Sequence, residues 1–158
     1  MDMKQHLLDT FLFNNQANKK LIKKMGALPD KTDALKIMSH LVNCQYRWMS
    51  RINNAPGDNE KSWWDPVYEF NEIETQWDKS LQPWLEYFSP ASDIQLDREI
   101  IFDREGLKLA VAVVDIGLQL NYHSIHHRAQ IQTIIRQQGL VPEGLDYILT
   151  KVRKAGES

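Results

Sequence analysis

The chain has 158 residues, one domain's worth at roughly 150 residues per domain, and enough to bury a core without disulfides or a structural metal. Its 19 basic and 21 acidic residues give a formal charge of −2, which lacks the basic excess of a nucleic-acid or polybasic membrane-surface protein. One cysteine, Cys44, excludes an intrachain disulfide and a Cys-rich zinc module, and five Trp and five His stand out from an otherwise ordinary composition. The segment before Leu7–Leu8 carries Asp2 and Lys4, so it does not read as a signal peptide, which needs an apolar run of about 7–15 residues. No stretch approaches the about 18 apolar residues of a membrane span. The expectation is a cytoplasmic protein with a single domain over 1–150 and a frayed tail over 151–158.

Helical periodicity dominates. Leu7, Phe11, Asn15, Asn18, Ile22 and Met25 recur at spacings of three and four and mark one face of a first helix, stopped by Gly26 and Pro29. Asn15 and Asn18 either pack as a polar pair between helices or reach a polar interior. A second helix starts at Thr32 or Asp33, either suitable as the N-cap. Its stripe is Ile37, His40, Leu41, Cys44, Trp48 and Ile52, and Asn53, Asn54, Pro56 and Gly57 end it. The short gap before it makes the first two helices antiparallel.

A polar loop over 54–65 leads to Trp63 and Trp64. Two adjacent indoles cannot both face the core of one helix, so one caps the bundle end and the other lines a pocket or interface. The long connection allows a crossover. A third helix runs over 71–87 on Ile73, Trp77, Leu81 and Phe88, and Pro83 inside it predicts a kink or a break. After Pro90, residues 96–102 alternate and Asp103-Arg104-Glu105-Gly106 is a turn signal. These predict a hairpin with Leu107–Ala110, with an early start of the next helix as the competing reading. The last helix spans 113–138 on Ile116, Leu120, His123, His127, Ile131, Ile134 and Ile135, and ends at Gly139. Tyr147, Ile148 and Leu149 then pack back on the bundle.

The chemistry is concentrated in Asn121-Tyr122-His123-Ser124-Ile125-His126-His127-Arg128. Imidazoles four residues apart project from one helical face, one turn apart, where two nitrogens reach a single first-row metal. Two imidazoles on a buried stripe need partners, and a shared cation satisfies both. His40, on the stripe of another helix, is the candidate third ligand, leaving open coordination positions. Cys44, one turn on, is either a fourth ligand or a small buried hydrophobe; free cysteine is commonly buried without function, which favours the second. His126 sits at the edge of the stripe and His6 on the surface. A zinc-protease helix has Glu directly after the first His; here Ser124 holds that place and cannot act as a base.

His123-Ser-Ile-His-His127-Arg-Ala-Gln-Ile, ending in Ile-Arg-Gln-Gln-Gly139, resembles the H-x-x-H-H-R-G-Q signature of the DinB/YfiT-like metalloenzyme superfamily, with Ala129 in place of the usual Gly. Phe13-Asn14-Asn15-Gln16-Ala17-Asn18 and Ser39-His40-Leu41 with Trp48 resemble its first and second helices, so the likeness covers most of the chain. The resemblance implies an all-α four-helix bundle of up-down-down-up order, here with the hairpin before the last helix, and a homodimer. It implies a divalent metal, nickel or zinc, on His40, His123 and His127. Relatives include bacillithiol transferases and mycothiol-dependent maleylpyruvate isomerases, which implies a metal-dependent enzyme that activates a low-molecular-weight thiol or water for transfer to a small-molecule substrate. Asn15, Cys44, His126 and Gln130 are candidate secondary contacts, while Arg128 points elsewhere and reads as a structural ion pair. The alternative is a non-catalytic metal- or small-molecule-binding stress-response protein.

Overall fold

A computed structural model describes residues 2–55 and 62–156. Its elements are α1 (Met3–Met25), α2 (Thr32–Ile52), α3 (Phe70–Phe88), α4 (Asp93–Leu96), β1 (Glu99–Arg104), β2 (Leu107–Ala112) and α5 (Val113–Gln137), followed by a 3-10 turn at Tyr147–Thr150. The expected turn at Pro56 and Gly57 lies outside the described residues. No helix among the described residues is long and apolar enough to cross a membrane.

Local chemistry sets the boundaries. The Asp2 carboxylate accepts from the Gln5 amide at the start of α1. Glu69 and Glu72 form a capping box on α3, and Ser92 and Gln95 form another on α4. At α2 neither Thr32 nor Asp33 is the cap. Asp30, two residues ahead of the helix, accepts from the Thr32 amide at 2.9 Å, because the loop holds its carboxylate against the first turn. This contact also holds the Asp30 carboxyl below the usual carboxylate range. Pro83 does not break α3, which runs unbroken through Phe88.

The hairpin is real, and α5 starts only after it, at Val113. Glu105 and Gly106 take φ of 52° and 81°, the two positive values that a tight two-residue turn needs to match strand twist. Ile100 is buried and Ile101 exposed, as strand alternation requires. Gly139, at φ 82°, ends α5 in the left-handed region. In the tail only Tyr147 packs as expected, edge-on to Phe13 at 5.2 Å, while Ile148 and Leu149 stay 61% and 58% exposed. Successive side chains of a 3-10 turn point about 120° apart, so three in a row cannot share one face.

Cross-helix contacts give the bundle order. Thr10 meets Asn121, and Asn14 meets Arg128, so α1 and α5 are parallel. Ser39 meets Tyr68, and Gln45 meets Ser80, so α2 and α3 are parallel. Phe11 meets Trp84 whereas Lys19 meets Asp78, which makes α1 and α3 antiparallel. The four long helices therefore run up-down-down-up. α1 and α2 each pack on α3 and α5, so the antiparallel pair α1–α2 is a diagonal and not a hairpin of neighbours.

Two apolar clusters fill the interior. Leu7, Phe11, Trp84, Phe88, Ile116 and Leu120 anchor one, and Leu21, Met25, Met38, Ile73, Trp77 and Ile131 the other. Between them lies a polar waist: Asn14 and Asn18 of α1, His40 and Gln45 of α2, Ser80 of α3, and Ser124, His127 and Arg128 of α5, all buried.

Gly117 marks the closest approach of α5. A Cβ there would stand 2.9 Å from Phe88 Cζ and 3.0 Å from Leu7 Cδ2, both on fully buried side chains. Helix propensity alone predicts that Gly117→Leu stabilises α5 by up to about 1 kcal/mol. Overpacking outweighs it, and the variant should lose about 1–3 kcal/mol, measured as a lower urea midpoint.

Candidate metal centre

The antiparallel pairing of α2 and α5 brings their middles together. His40 comes from α2, and His123 and His127 from successive turns of α5. One ring nitrogen from each lies within 4.8 Å of the others. His40 and His127 are each 6% exposed, and His123 is half-buried. All three expected ligands therefore converge.

Two of the rings are fixed by their other nitrogen. His40 Nδ1 lies 2.7 Å from the Trp63 carbonyl oxygen. A carbonyl can only accept, so Nδ1 carries the proton and Nε2 keeps its lone pair. His127 Nδ1 likewise donates to Gln130 Oε1 at 2.7 Å, which leaves its Nε2 as a lone pair. Gln130 also reaches His126 Nε2 at 3.4 Å. Outer partners of this kind orient metal-binding imidazoles and raise their basicity. Gln130 thus bonds to two of the histidines, while His126 is exposed and also lies edge-on to His127 at 5.0 Å between ring centres.

The donor set fits a divalent cation. His40 Nε2 and His123 Nε2 face each other at 2.9 Å. Since the His40 lone pair points into this contact, two bare nitrogens would repel. The arrangement is satisfied by a proton on His123 Nε2 or by a cation shared between the rings. An imidazole–metal bond is about 2.0–2.1 Å, and the three nitrogens, within 4.8 Å of one another, could hold one such ion.

Electrostatics keep the donors neutral. Burial pushes His123 down to about 4, helped by His127, His40 and His126. Burial also lowers His40, against the Trp63 contact, and lowers His127, against the Gln130 contact. Neutral imidazole is the form that binds a metal.

Cys44 is a neighbour and not part of the converging set. Its sulfur is 3.6 Å from His40 Nε2, and burial holds the thiol up at about 12 despite Arg47. It is a neutral S–H in the wall of a cavity of about 290 Å³, which His40, His123, Trp48, Trp63 and Leu120 also line. Asn15 is not at the site. Its Oδ1 accepts from Trp77 Nε1 at 2.9 Å, because it sits on the α3 side of α1.

The tryptophans and Arg128 depart most from expectation. Both members of the Trp pair serve the site: Trp63 gives its carbonyl and a cavity wall, and Trp64 stacks on His40 at 3.9 Å between ring centres. The expected pocket lining holds for Trp63, whereas Trp64 lies on the His40 ring and not over a bundle end. The adjacency of two indoles was the only sequence signal. Arg128 is buried, but its partners are neutral oxygens and not a carboxylate: Asn14 Oδ1, Asn18 Oδ1 at 3.3 Å and Ser124 Oγ at 3.0 Å. Asn18 also donates to Ser124 at 3.0 Å. Burial brings Arg128 down to about 10, so it remains charged at neutral pH. Ser124 and Arg128 each follow a site histidine by one residue, so the face beside the imidazoles locks α5 to α1.

The depressed His123 has a consequence for stability. In the unfolded chain a histidine takes up a proton near 6.5, whereas folded His123 does so only near 4. Between those values the unfolded state binds more protons, so stability falls as pH is lowered. Urea midpoints of metal-free protein should drop from pH 6.5 to 4.5, and His123→Gln should flatten that dependence.

Comparison with curated proteins gives no match. Comparison with protein families matches residues 2–156 to the DinB family, nearly the whole chain. The chain belongs to the DinB family.

Proposed function

We propose that this protein is a metal-dependent enzyme whose three-histidine site activates a low-molecular-weight thiol or a water for transfer to a small-molecule substrate. The observation that carries this reading is the convergence of His40, His123 and His127 with two of their Nδ1 atoms already engaged by Trp63 and Gln130. A divalent cation, nickel or zinc, held there supplies charge that lowers the pKa of a bound thiol or water.

The chain's own residues bind, orient and exclude water. Trp63 and Gln130 fix two ring orientations, so little is lost in arranging donors on binding. Trp64 covers one face of His40, while Trp48, Trp63 and Leu120 give the adjoining cavity an apolar wall. Among the described residues that cavity offers no carboxylate, and its thiol, Cys44, is held protonated. This favours a nucleophile that arrives with the ligand, a thiol cosubstrate, over a residue of the chain. The lone cysteine supports a reducing, cytoplasmic setting, and the family supports a homodimer.

A cavity with no carboxylate among its described lining residues also suits the second reading, a non-catalytic metal- or small-molecule-binding stress-response protein. A panel of low-molecular-weight thiols with electrophiles separates the two: turnover supports the enzyme, and saturation without turnover supports the binding module.

Metal binding itself is tested on tag-free protein by calorimetry and elemental analysis. One divalent ion per chain is expected, with a rise in Tm as free metal increases. Gln130→Leu should weaken binding by about 10–100-fold, and His123→Ala or His127→Ala by more. Substoichiometric metal with an unchanged Tm would sink the proposal.

A further inference from the structure

The hairpin is a sheet of two strands, so each strand has one outer edge. Its register pairs Arg104 with Leu107 and Ile100 with Val111, and the Val113 amide donates to the Arg98 carbonyl at 3.0 Å. In an antiparallel ladder alternate pairs exchange both backbone bonds, and the pairs between them aim their N–H and C=O groups outward. The backbone of Leu107, Leu109 and Val111 is therefore engaged with β1. That of Lys108 and Ala110 faces away from it, as does that of Glu99, Ile101 and Asp103 on the far edge of β1. Ala112 is also the N-cap of α5, so its carbonyl turns into the helix and its amide alone belongs to the β2 edge. Among the described residues these outward groups meet no hydrogen-bond partner.

The two edges differ in charge. An open edge accepts another strand unless charge, proline or a covering element prevents it. Two copies of β1 meeting antiparallel around Ile101 would set Glu99 of one copy opposite Asp103 of the other, a like-charge pair that opposes pairing. β2 carries no such obstacle. Two copies of β2 meeting around Ala110 set Ala110 opposite Ala110, Lys108 opposite Ala112 and, on the inner face, Leu109 opposite Val111. Centring the pair on Lys108 would instead oppose two ammonium groups, so charge selects the register as well as the strand. Across the four strands the middle row then reads Ile101, Ala110, Ala110, Ile101, and Ile101 is 69% exposed in the single chain. The row beside it reads Glu99, Ala112, Lys108, Asp103, which puts each ammonium between two carboxylates with only a methyl group on one side.

We propose that the free edge of β2 pairs with β2 of a second copy of this chain, antiparallel and about a twofold axis at Ala110, to form a four-stranded sheet. The pairing is isologous, so it closes as a dimer, and the strand left at both outer edges is β1, whose acids refuse a further copy. That the protein is a homodimer rests on the family reading above; that β2 is the seam rests on register and charge. A seam over 108–112 falls short of the roughly 1,200 Å² of a standard interface, so the dimer is weak, with a Kd on the order of 10 µM.

The test is sedimentation velocity of the full, untagged chain from about 1 to about 200 µM, across which monomer should give way to dimer. Ala110 is exposed, so substitution there leaves the core alone. Ala110→Lys and Ala110→Glu should each weaken self-association by about 10-fold or more, because like charges then face each other across the axis. An equimolar mixture of the two should dimerise at least as well as the native chain, a rescue that only the pairing of 110 with 110 provides. In the native protein the Ala110 amide should exchange with deuterium about 10-fold more slowly at the high concentration than at the low one. His123→Ala should dimerise unchanged. A dimer indifferent to Ala110→Lys, a mixture that stays monomeric, or an Ala110 amide whose exchange ignores concentration would overturn the β2 seam and leave the homodimer reading standing. A native chain that is monomeric throughout removes both, while metal uptake is untouched by either result.

Discussion

Between its two apolar clusters the bundle must satisfy a guanidinium, two buried imidazoles and several amides with little access to bulk water. An unpaired polar group at that depth costs on the order of 1–3 kcal/mol. Each helix therefore meets its neighbours at the waist in one register. Arg128 bonds to Asn14, Asn18 and Ser124 and fixes α5 against α1. Gln45 accepts from Ser80 and fixes α2 against α3. With both pairs locked, α2 and α5 have a single way to face each other, and it places His40 opposite His123 and His127. The apolar ends supply the bulk of the driving force.

The site follows from two adjacent faces of one helix. On α5 the imidazoles look toward α2, while Ser124 and Arg128, one residue further in each turn, look toward α1. Function and fold thus share the same two turns without sharing side chains. The outer partners divide along similar lines: Gln130 comes from the same helix as the ring it holds, and Trp63 from the connection that crosses the bundle.

Periodicity made the long helices and all three site histidines legible, because a polar residue on an apolar stripe is visible without coordinates. It misplaced what depends on the neighbouring helix. Asn15 fits the stripe as well as Asn14, and only the position of α3 and α5 decides that Asn14 goes inward while Asn15 turns to Trp77. Arg128 looked like half of an ion pair because a buried charge usually has a counter-charge; here three neutral oxygens share it, and no local pattern announces that. The cap of α2 was misassigned because Asp30 acts from outside the helix through the path of the loop.

The parallel α2 and α3 require a connection that returns the whole length of the bundle, and that connection is what brings Trp63 and Trp64 to His40. The three imidazoles ride on helices, whereas Trp63 and Trp64 beside them belong to a loop. Doubling a loop's length costs only about 0.6 kcal/mol in closure entropy. The two parts are consequently free to evolve at different rates: the crossover can lengthen, shorten or change its side chains to suit another ligand, while the helices that hold the three imidazoles stay as they are.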